Sequence, residues 1–344
     1  MARQGKQVTI KDVARLAGVD PSTVSRVLNN RLTMPLRLET IERIRKAAKE
    51  LHYSPHAIAR GLVSRRTHTL GIQCASVSDP HYARLLEEAG RYAHSRSYYT
   101  LLISAHGDMG ARLLAESRIE GLIVIGQCWE SEEDVRGKIH PETPLVYVGP
   151  TEYRPPMPFQ PCSVEWNDYK GSQLVAKHLL SLGHTQAAMM AGIAPPSHPR
   201  VRGFLDATQE HISKIPILTC ENESNPYEAG RQMLEELCLR YPGVTGVFCR
   251  NDLLAIGALS RAAELHIPVP EKLSIVGYSN IPVSCYTSPS LSSVATPILE
   301  AGLKALQMLI SLIEEGRVAS PQLFLTPKML ARGSSAPPER HCLH

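Results

Sequence analysis

The segment VTIKDVARLAGVDPSTVSRVLNN, Val8 to Asn30, constrains this chain most, because it specifies two short capped helices joined by a three-residue turn and an outward face that no core requires. Thr9 and Asp12 have the spacing of an N-terminal cap, and Ile10, Val13, Ala14 and Ala17 recur at i, i+3, i+4 and i+7, so one stripe faces a core. Gly18 closes that helix. Asp20 can cap the second one, and Pro21 suits its first position, where an amide hydrogen would have no partner. Val24, Val27 and Leu28 form the buried side. Ser22, Ser25, Arg26 and Asn29 form the other: short hydrogen-bonding groups and a guanidinium, which can reach base edges and phosphates when a helix lies in a major groove.

A generic helical hairpin would share the apolar pattern, but the next fifty residues argue against it. A third amphipathic helix carries Ile41, Ile44, Ala48 and Leu51 on one side, with Arg43, Arg45, Lys46 and Lys49 around the rest, so three small helices can bury one shared core. Residues 1–66 hold 14 basic and 5 acidic groups, a formal +9, whereas the remainder holds 23 and 28, a formal −5. A solvated charge run would mix both signs. A basic segment on a mildly acidic body is instead the footprint of a polyanion-binding module, since each neutralised phosphate releases counterions.

With ELHYSPHAIARGLVSRRTHTLGI following it, this segment resembles the N-terminal signature of the lactose-repressor/galactose-repressor family of bacterial transcription regulators, and the similarity extends along nearly the whole chain. The resemblance implies that the second helix reads an operator, with Pro21, Ser22 and Arg26 at base edges and Thr9, Thr23, Ser25 and Asn29 nearer the backbone. The Arg26 fork matches O6 and N7 of a guanine. Pro21 departs from the hydrogen-bonding or aromatic residue often found there and offers only apolar contact. The segment 54–66 is too short for a stable free helix and contains Gly61. The resemblance makes it a hinge helix that folds in the minor groove against its dimer mate, with Leu62 as the wedge, Ala59 at the helix contact, and His56 and Arg60 either on phosphates or simply exposed.

The 344 residues, 43% hydrophobic and 20% charged, can bury a substantial core in more than one domain. No run approaches 18 apolar residues and the N-terminus lacks a secretory apolar stretch, which points to a cytoplasmic protein without membrane partners. Eight cysteines show neither C-x-x-C nor zinc spacing and read as reduced small hydrophobes. From Thr69 onward, TLGIQCASV, YYTLLIS, GLIVIG, PLVYVG, QAAMMAG, GVFC and LSIVGY read as buried parallel strands alternating with helical stretches. The fold expected is therefore an all-α helix-turn-helix headpiece plus an α/β core of two doubly wound subdomains, similar to periplasmic binding proteins. The boundaries expected are 1–53 for the DNA-binding domain, 54–66 for the hinge and 67–334 for the core. Within the core, 67–183 plus 292–319 form one subdomain and 184–291 plus 320–334 the other, and 335–344 is a disordered tail without a tetramerising coiled coil.

Ligands of open α/β sheets bind beyond the carboxyl ends of the strands, so the cleft between the subdomains is the expected site. The resemblance places His81 and Tyr82 near an effector through SDPHYARLLEEA, and Arg200 as an anchor through PSHPRVRGF, with Arg202 facing solvent. It brings Asp168 in through VEWNDYKG, and Asn251 and Asp252 through CRNDLLAIGAL, where Asn251 can cap the helix and Asp252 has either a capping or structural role or a ligand contact. Two positions depart from sugar-binding relatives: Ser279 stands where an aspartate is common, and Asn225 where an aromatic platform is common. The effector class therefore extends from sugars to sugar acids, sugar phosphates, nucleosides and other small polar molecules. The link from Ser104 to Glu120 leaves room for only a brief helix. One helix-turn-helix reads too few base pairs for useful specificity, so a homodimer on a palindromic operator is expected. The helix NDLLAIGALSRAAEL and the one near Tyr82 to Ala93 are either interface or plain core. The competing class is a carbohydrate-processing enzyme or solute-binding protein, but the sequence holds no G-x-S-x-G elbow, P-loop, H-E-x-x-H or convincing dinucleotide loop, and no cofactor is expected.

Overall fold

Thr9 begins the first helix because the Asp12 carboxylate accepts both its backbone N–H (2.9 Å) and its hydroxyl (2.7 Å), which holds the chain end before α1 (Ile10–Ala17). Gly18 ends α1 in the left-handed region at φ 63°. Asp20 then accepts the Ser22 N–H at 2.8 Å and starts α2 (Pro21–Leu28). The third helix, α3 (Leu38–Glu50), covers both, and its Arg43 guanidinium donates to the Ala17 carbonyl at 2.9 Å, satisfying an orphan acceptor at the end of α1. Val13, Ala14, Ala17, Val24, Val27 and Ile44 lie at the centre of this small core.

The protein is described here from a computed structural model, covering residues 8–28, 36–53, 66–75, 77, 79–104, 106–129, 135, 137–154, 157 and 159–339. Two units separate, residues 1–68 and residues 69–344. The hinge expected at 54–66 lies almost wholly outside the described residues, as do Asn29, His56, Ala59, Arg60 and Leu62.

The larger unit holds two six-stranded sheets. The first runs β11 (Gln322–Phe324), β5 (Cys162–Trp166), β4 (Leu145–Pro150), β3 (Gly121–Ile125), β1 (Thr69–Cys74), β2 (Tyr99–Ser104), all parallel. Its core is formed with α4 (Pro80–Ser95) and α10 (Ile298–Glu315). The short α5 (Met109–Ala115) occupies the link after β2. The second sheet runs β12 (Lys328–Leu330), β10 (Ser292–Ala295), β9 (Ser274–Ser279), β8 (Gly246–Cys249), β6 (Ala187–Gly192), β7 (Ile217–Thr219), parallel except for β12. Around it lie α6 (Asp168–Ser181), α7 (Pro199–Thr208), α8 (Pro226–Arg240) and α9 (Asp252–Glu264). The inner strands β3, β4 and β6 are buried along their whole length, which is why they read as unbroken apolar runs.

Chain crossings differ from the expected boundaries in three places. The helix α6 was expected with the first subdomain; Val175, Ala176 and Leu179 instead pack with Phe204 and Tyr278 of the second lobe. Ser292–Ala295 pairs with β9, so of the segment expected to return to the first lobe only α10 does so. Gln322–Phe324 then pairs with β5 in the first sheet, and Lys328–Leu330 with β10 in the second. The tail expected to be disordered from 335 starts as part of the second lobe. Ser335 Oγ lies 2.8 Å from His178 Nε2, and the Ala336 carbonyl accepts from Ser274 Oγ at 3.0 Å, so its first backbone groups have partners.

Candidate functional site

On the headpiece the exposed side of α2 carries Ser22 and Arg26, with Pro21, Thr23 and Ser25 half-buried beside them. Thr9 is exposed at the head of α1. Arg26 lies back along its own helix: Nε donates to the Ser22 carbonyl and Nη2 to Ser22 Oγ, both at 3.3 Å. These are long, weak bonds at an exposed site, so the guanidinium is poised rather than locked. Six of the sequence-selected DNA contacts thus lie among the described residues, at the head of α1 and along α2, and none of them is buried.

In the core the carboxyl ends of both sheets turn toward one charged cluster. Asp168, the first residue of α6, is fully buried and accepts from Trp166 Nε1 (3.0 Å), Tyr278 Oη (2.8 Å) and Arg200 Nε (2.8 Å). Arg200 also donates from Nη1 to the Arg250 carbonyl at 3.1 Å and stacks 4.0 Å above the Tyr278 ring. Burial works against the Arg200 charge, but Asp168 and then Tyr278 and Tyr153 outweigh it and hold the guanidinium firmly protonated. Beside it Arg250 reaches Glu223 at 2.6 Å and the Ala191 carbonyl at 2.7 Å, while burial pulls its proton affinity down. Arg200 and Arg250 are therefore already neutralised by the protein's own acids.

Two family models match parts of the chain, and relatives along nearly its whole length decide the family. Residues 9–56 match the description "Bacterial regulatory proteins, lacI family", and residues 176–335 match "Periplasmic binding protein-like domain". The HTH-type transcriptional repressor PurR of Aliivibrio salmonicida is 30% identical over 334 residues, 95% of this chain and 98% of that protein. The PurR repressor of Pectobacterium atrosepticum is likewise 30% identical, over 95% of this chain and 97% of its own length. The chain belongs to the lacI family of bacterial regulatory proteins. It is a DNA-binding transcriptional repressor of that family. The fold agrees: the structure of the lac repressor dimer bound to operator and the anti-inducer ONPF superposes with a TM-score of 0.82 at 22% identity, covering 96% of this chain and all of that one.

Against this lacI-family architecture the expected effector residues separate into groups. His81 and Tyr82 open α4, edge to face with ring centroids 5.1 Å apart, and Asp79 caps that helix by accepting the His81 N–H at 2.9 Å. Burial, with the nearby Arg200 charge, pushes the His81 imidazole down to about 4, against the pull of Asp79 and Asp168. Asp168 and Arg200 meet each other directly, and Arg202 is exposed, as the sequence implied. Ser279 shares with His81 and Arg84 an open cavity of about 320 Å³ that also touches Asn280, Thr296 and Glu300. Ser279 and Asn280 both have positive φ, 111° and 54°, uncommon for residues with a side chain, and the Ser279 backbone at the end of β9 is strained.

Three of the residues also hold local structure. Asp252 is buried; its Oδ2 accepts from the Ile281 N–H (2.8 Å) and Ser284 Oγ (2.7 Å), and its Oδ1 from Ser293 Oγ (2.6 Å), so it ties β10 and the turn after β9 to α9. Asn225 is exposed and caps α8 through the Glu228 N–H at 3.3 Å. Asn251 caps α9 through the Leu254 N–H at 2.9 Å and reaches the cleft only by way of Glu223. The sequence reading missed Tyr153, His198, Glu223 and Arg250, which complete the cleft. The Arg in CRNDLLAIGAL was a visible signal for Arg250, and the His in PSHPR for His198; nothing local marks Tyr153 or Glu223.

Among the described residues no helix is long and apolar enough to cross a membrane, and no cluster of His, Cys, Asp or Glu could hold a metal ion.

Proposed function

We propose that this repressor binds a palindromic operator as a homodimer, with α2 of each protomer in a major groove, and that a small polar effector in the core cleft sets the DNA affinity. The exposed Ser22–Arg26 face of α2 carries the reading. It presents a donor fork and a hydroxyl one helical turn apart on a helix whose Val24, Val27 and Leu28 are used in the headpiece core. A dimer follows from specificity, because one recognition helix reads too few base pairs. The lac repressor neighbour, solved as a dimer on operator with an anti-inducer, supports the same arrangement.

The effector belongs to the polar metabolites, a sugar, sugar acid or related molecule, acting in the cytoplasm. His81, Tyr82, Asp168, Arg200 and Ser279 line or border the space between the lobes, and such a ligand shifts DNA affinity only through unequal binding to two core conformations.

Arg26→Ala tests the operator reading by fluorescence anisotropy on a selected palindrome and on a random duplex of equal length. Loss of a base contact worth about 1–3 kcal/mol weakens the palindrome by roughly 5- to 150-fold more than the random duplex. Equal losses on both duplexes overturn base reading by Arg26.

A further inference from the structure

The first lobe delivers the short 3-10 turn Thr151–Tyr153 directly after β4, and the second lobe begins α7 beside it. Between them, Tyr153 Oη lies 2.6 Å from His198 Nε2, with the ring centroids 5.7 Å apart. The start of α7 fixes the sense of this bond. His198 is the N-cap, and its Nδ1 accepts the Arg200 N–H at 3.2 Å. A neutral imidazole has one donor and one acceptor nitrogen, so a capping Nδ1 places the hydrogen on Nε2, which then donates to Tyr153. Arg200 is therefore adjacent to this bond through its own backbone as well as through the charge it presents to the phenol.

A second contact follows the same seam. Glu152, the neighbour of Tyr153, accepts the Tyr169 N–H at 3.1 Å and the Asp168 N–H at 3.4 Å, where the second lobe's α6 begins. A carboxylate at a helix N-terminus is favourably placed against the helix dipole. The two consecutive side chains of one lobe thus hold the starts of two helices in the other, and those helices carry Asp168 and Arg200.

We propose that Tyr153 and His198 form a positioning pair across the cleft, in which the α7 cap fixes the histidine tautomer and the resulting Nε2–H···Oη bond sets the spacing of the two lobes around Asp168 and Arg200. The inference deepens the reading of the core as effector-responsive by naming the contact that an effector must preserve or break to change lobe spacing. His198 faces Arg200, Arg250 and Asp168; burial first, and then the two arginines, keep its ring neutral, to about 3. The bond therefore persists across the physiological pH range.

The full-length protein without added ligand serves for the test. Long-range proton–nitrogen spectra of histidine-labelled protein, with His198 assigned through His198→Asn, are expected to show the Nε2–H tautomer from pH 8 to pH 5. The asparagine can still cap α7 but cannot reach Tyr153, and Tyr153→Phe keeps the ring and removes the acceptor. Each single variant is expected to lower the thermal midpoint by about 2–4 °C, with the double variant no lower than either alone, because one bond is lost in every case. Tyr153→Phe is also expected to speed hydrogen exchange of the Asp168 and Tyr169 amides by at least about fivefold, as the seam beside Glu152 opens. An Nδ1–H or charged His198 at pH 7, additive midpoint losses, or unchanged exchange at those amides overturns the pair. None of these measurements involves DNA, so their failure leaves the operator reading standing, and failure of the Arg26 test leaves the pair standing.

Discussion

Asp168 accepts three hydrogen bonds with no exposure to solvent, and Arg200 depends on it for charge balance, so the two residues behave as a unit in any substitution. Removing one partner strands the other in a dry site. Asp168→Ala is expected to destabilise the core by about 3–5 kcal/mol, and adding Arg200→Leu to recover part of that loss, because the buried cation goes with it. Urea unfolding of the two variants and the wild type checks this; a double variant less stable than Asp168→Ala refutes the coupling. The same geometry alters what Arg200→Ala alone means, since a defect in effector response would come mixed with unfolding. Asp252 is a sharper contrast. It was read from sequence as a capping or structural residue or as a ligand, and the structure gives it three interior donors, so Asp252→Ala is expected to lower stability by a few kcal/mol through orphaned groups at Ile281, Ser284 and Ser293. Both roles were compatible with an Asn-Asp pair at a helix start. Only the donors that Ile281, Ser284 and Ser293 bring to the carboxylate distinguish them.

Helices of the headpiece were legible because they carry local instructions: an apolar stripe in each, side-chain caps at the starts of α1 and α2, and a glycine stop after α1. Gly18 is the cleanest case, since a Cβ there meets nothing within 4 Å and the residue nevertheless sits at φ 63°. Gly18→Ala should therefore act through backbone conformation alone, destabilising the headpiece by about 1–2 kcal/mol. A thermal transition of that unit unchanged by the substitution would show that the turn tolerates a side chain. Buried strands such as β3, β4 and β6 were legible for the same reason, a run of apolar residues between turns, whereas Tyr99–Ser104, also read as buried, is the edge strand of its sheet and is exposed at all but Ile103. Where reading failed, the information was not local. The strands Cys162–Trp166, Ser292–Ala295, Gln322–Phe324 and Lys328–Leu330 are three to five residues long, too short for a period, and each is defined by the strand it pairs with. The helix α6 follows a first-lobe strand in sequence, so nothing in its own residues reveals that Val175 and Leu179 face the second lobe. Tyr153 was invisible for a related reason: its partner is 45 residues away, on the other lobe.

The chain of the larger unit passes between its two lobes after β5, after β10 and after β11, and the cleft lies beside these strands. Titration of the buried histidines follows from that arrangement. His81 and His198 sit where the lobes meet, and burial depresses them to about 4 and about 3, while burial also lowers His178 and His184 beneath the C-terminal segment. A depressed base is protonated in the unfolded chain before it is protonated in the folded one. Below pH 6.5 the unfolded state therefore binds more protons, and stability falls as the pH drops, by up to about 1.4 kcal/mol per pH unit for each histidine still neutral in the fold. For His198 the loss runs from 6.5 down to about 3, and for His81 from 6.5 to about 4. Urea midpoints of the full-length protein at pH 7, 6 and 5 should fall with increasing slope. In His198→Asn the midpoint at pH 7 should be lower and the fall shallower, since one of the titrating groups is gone. A wild-type midpoint flat between pH 7 and 5 would mean that these imidazoles charge freely in the folded core, and hence that the seam between the lobes admits water.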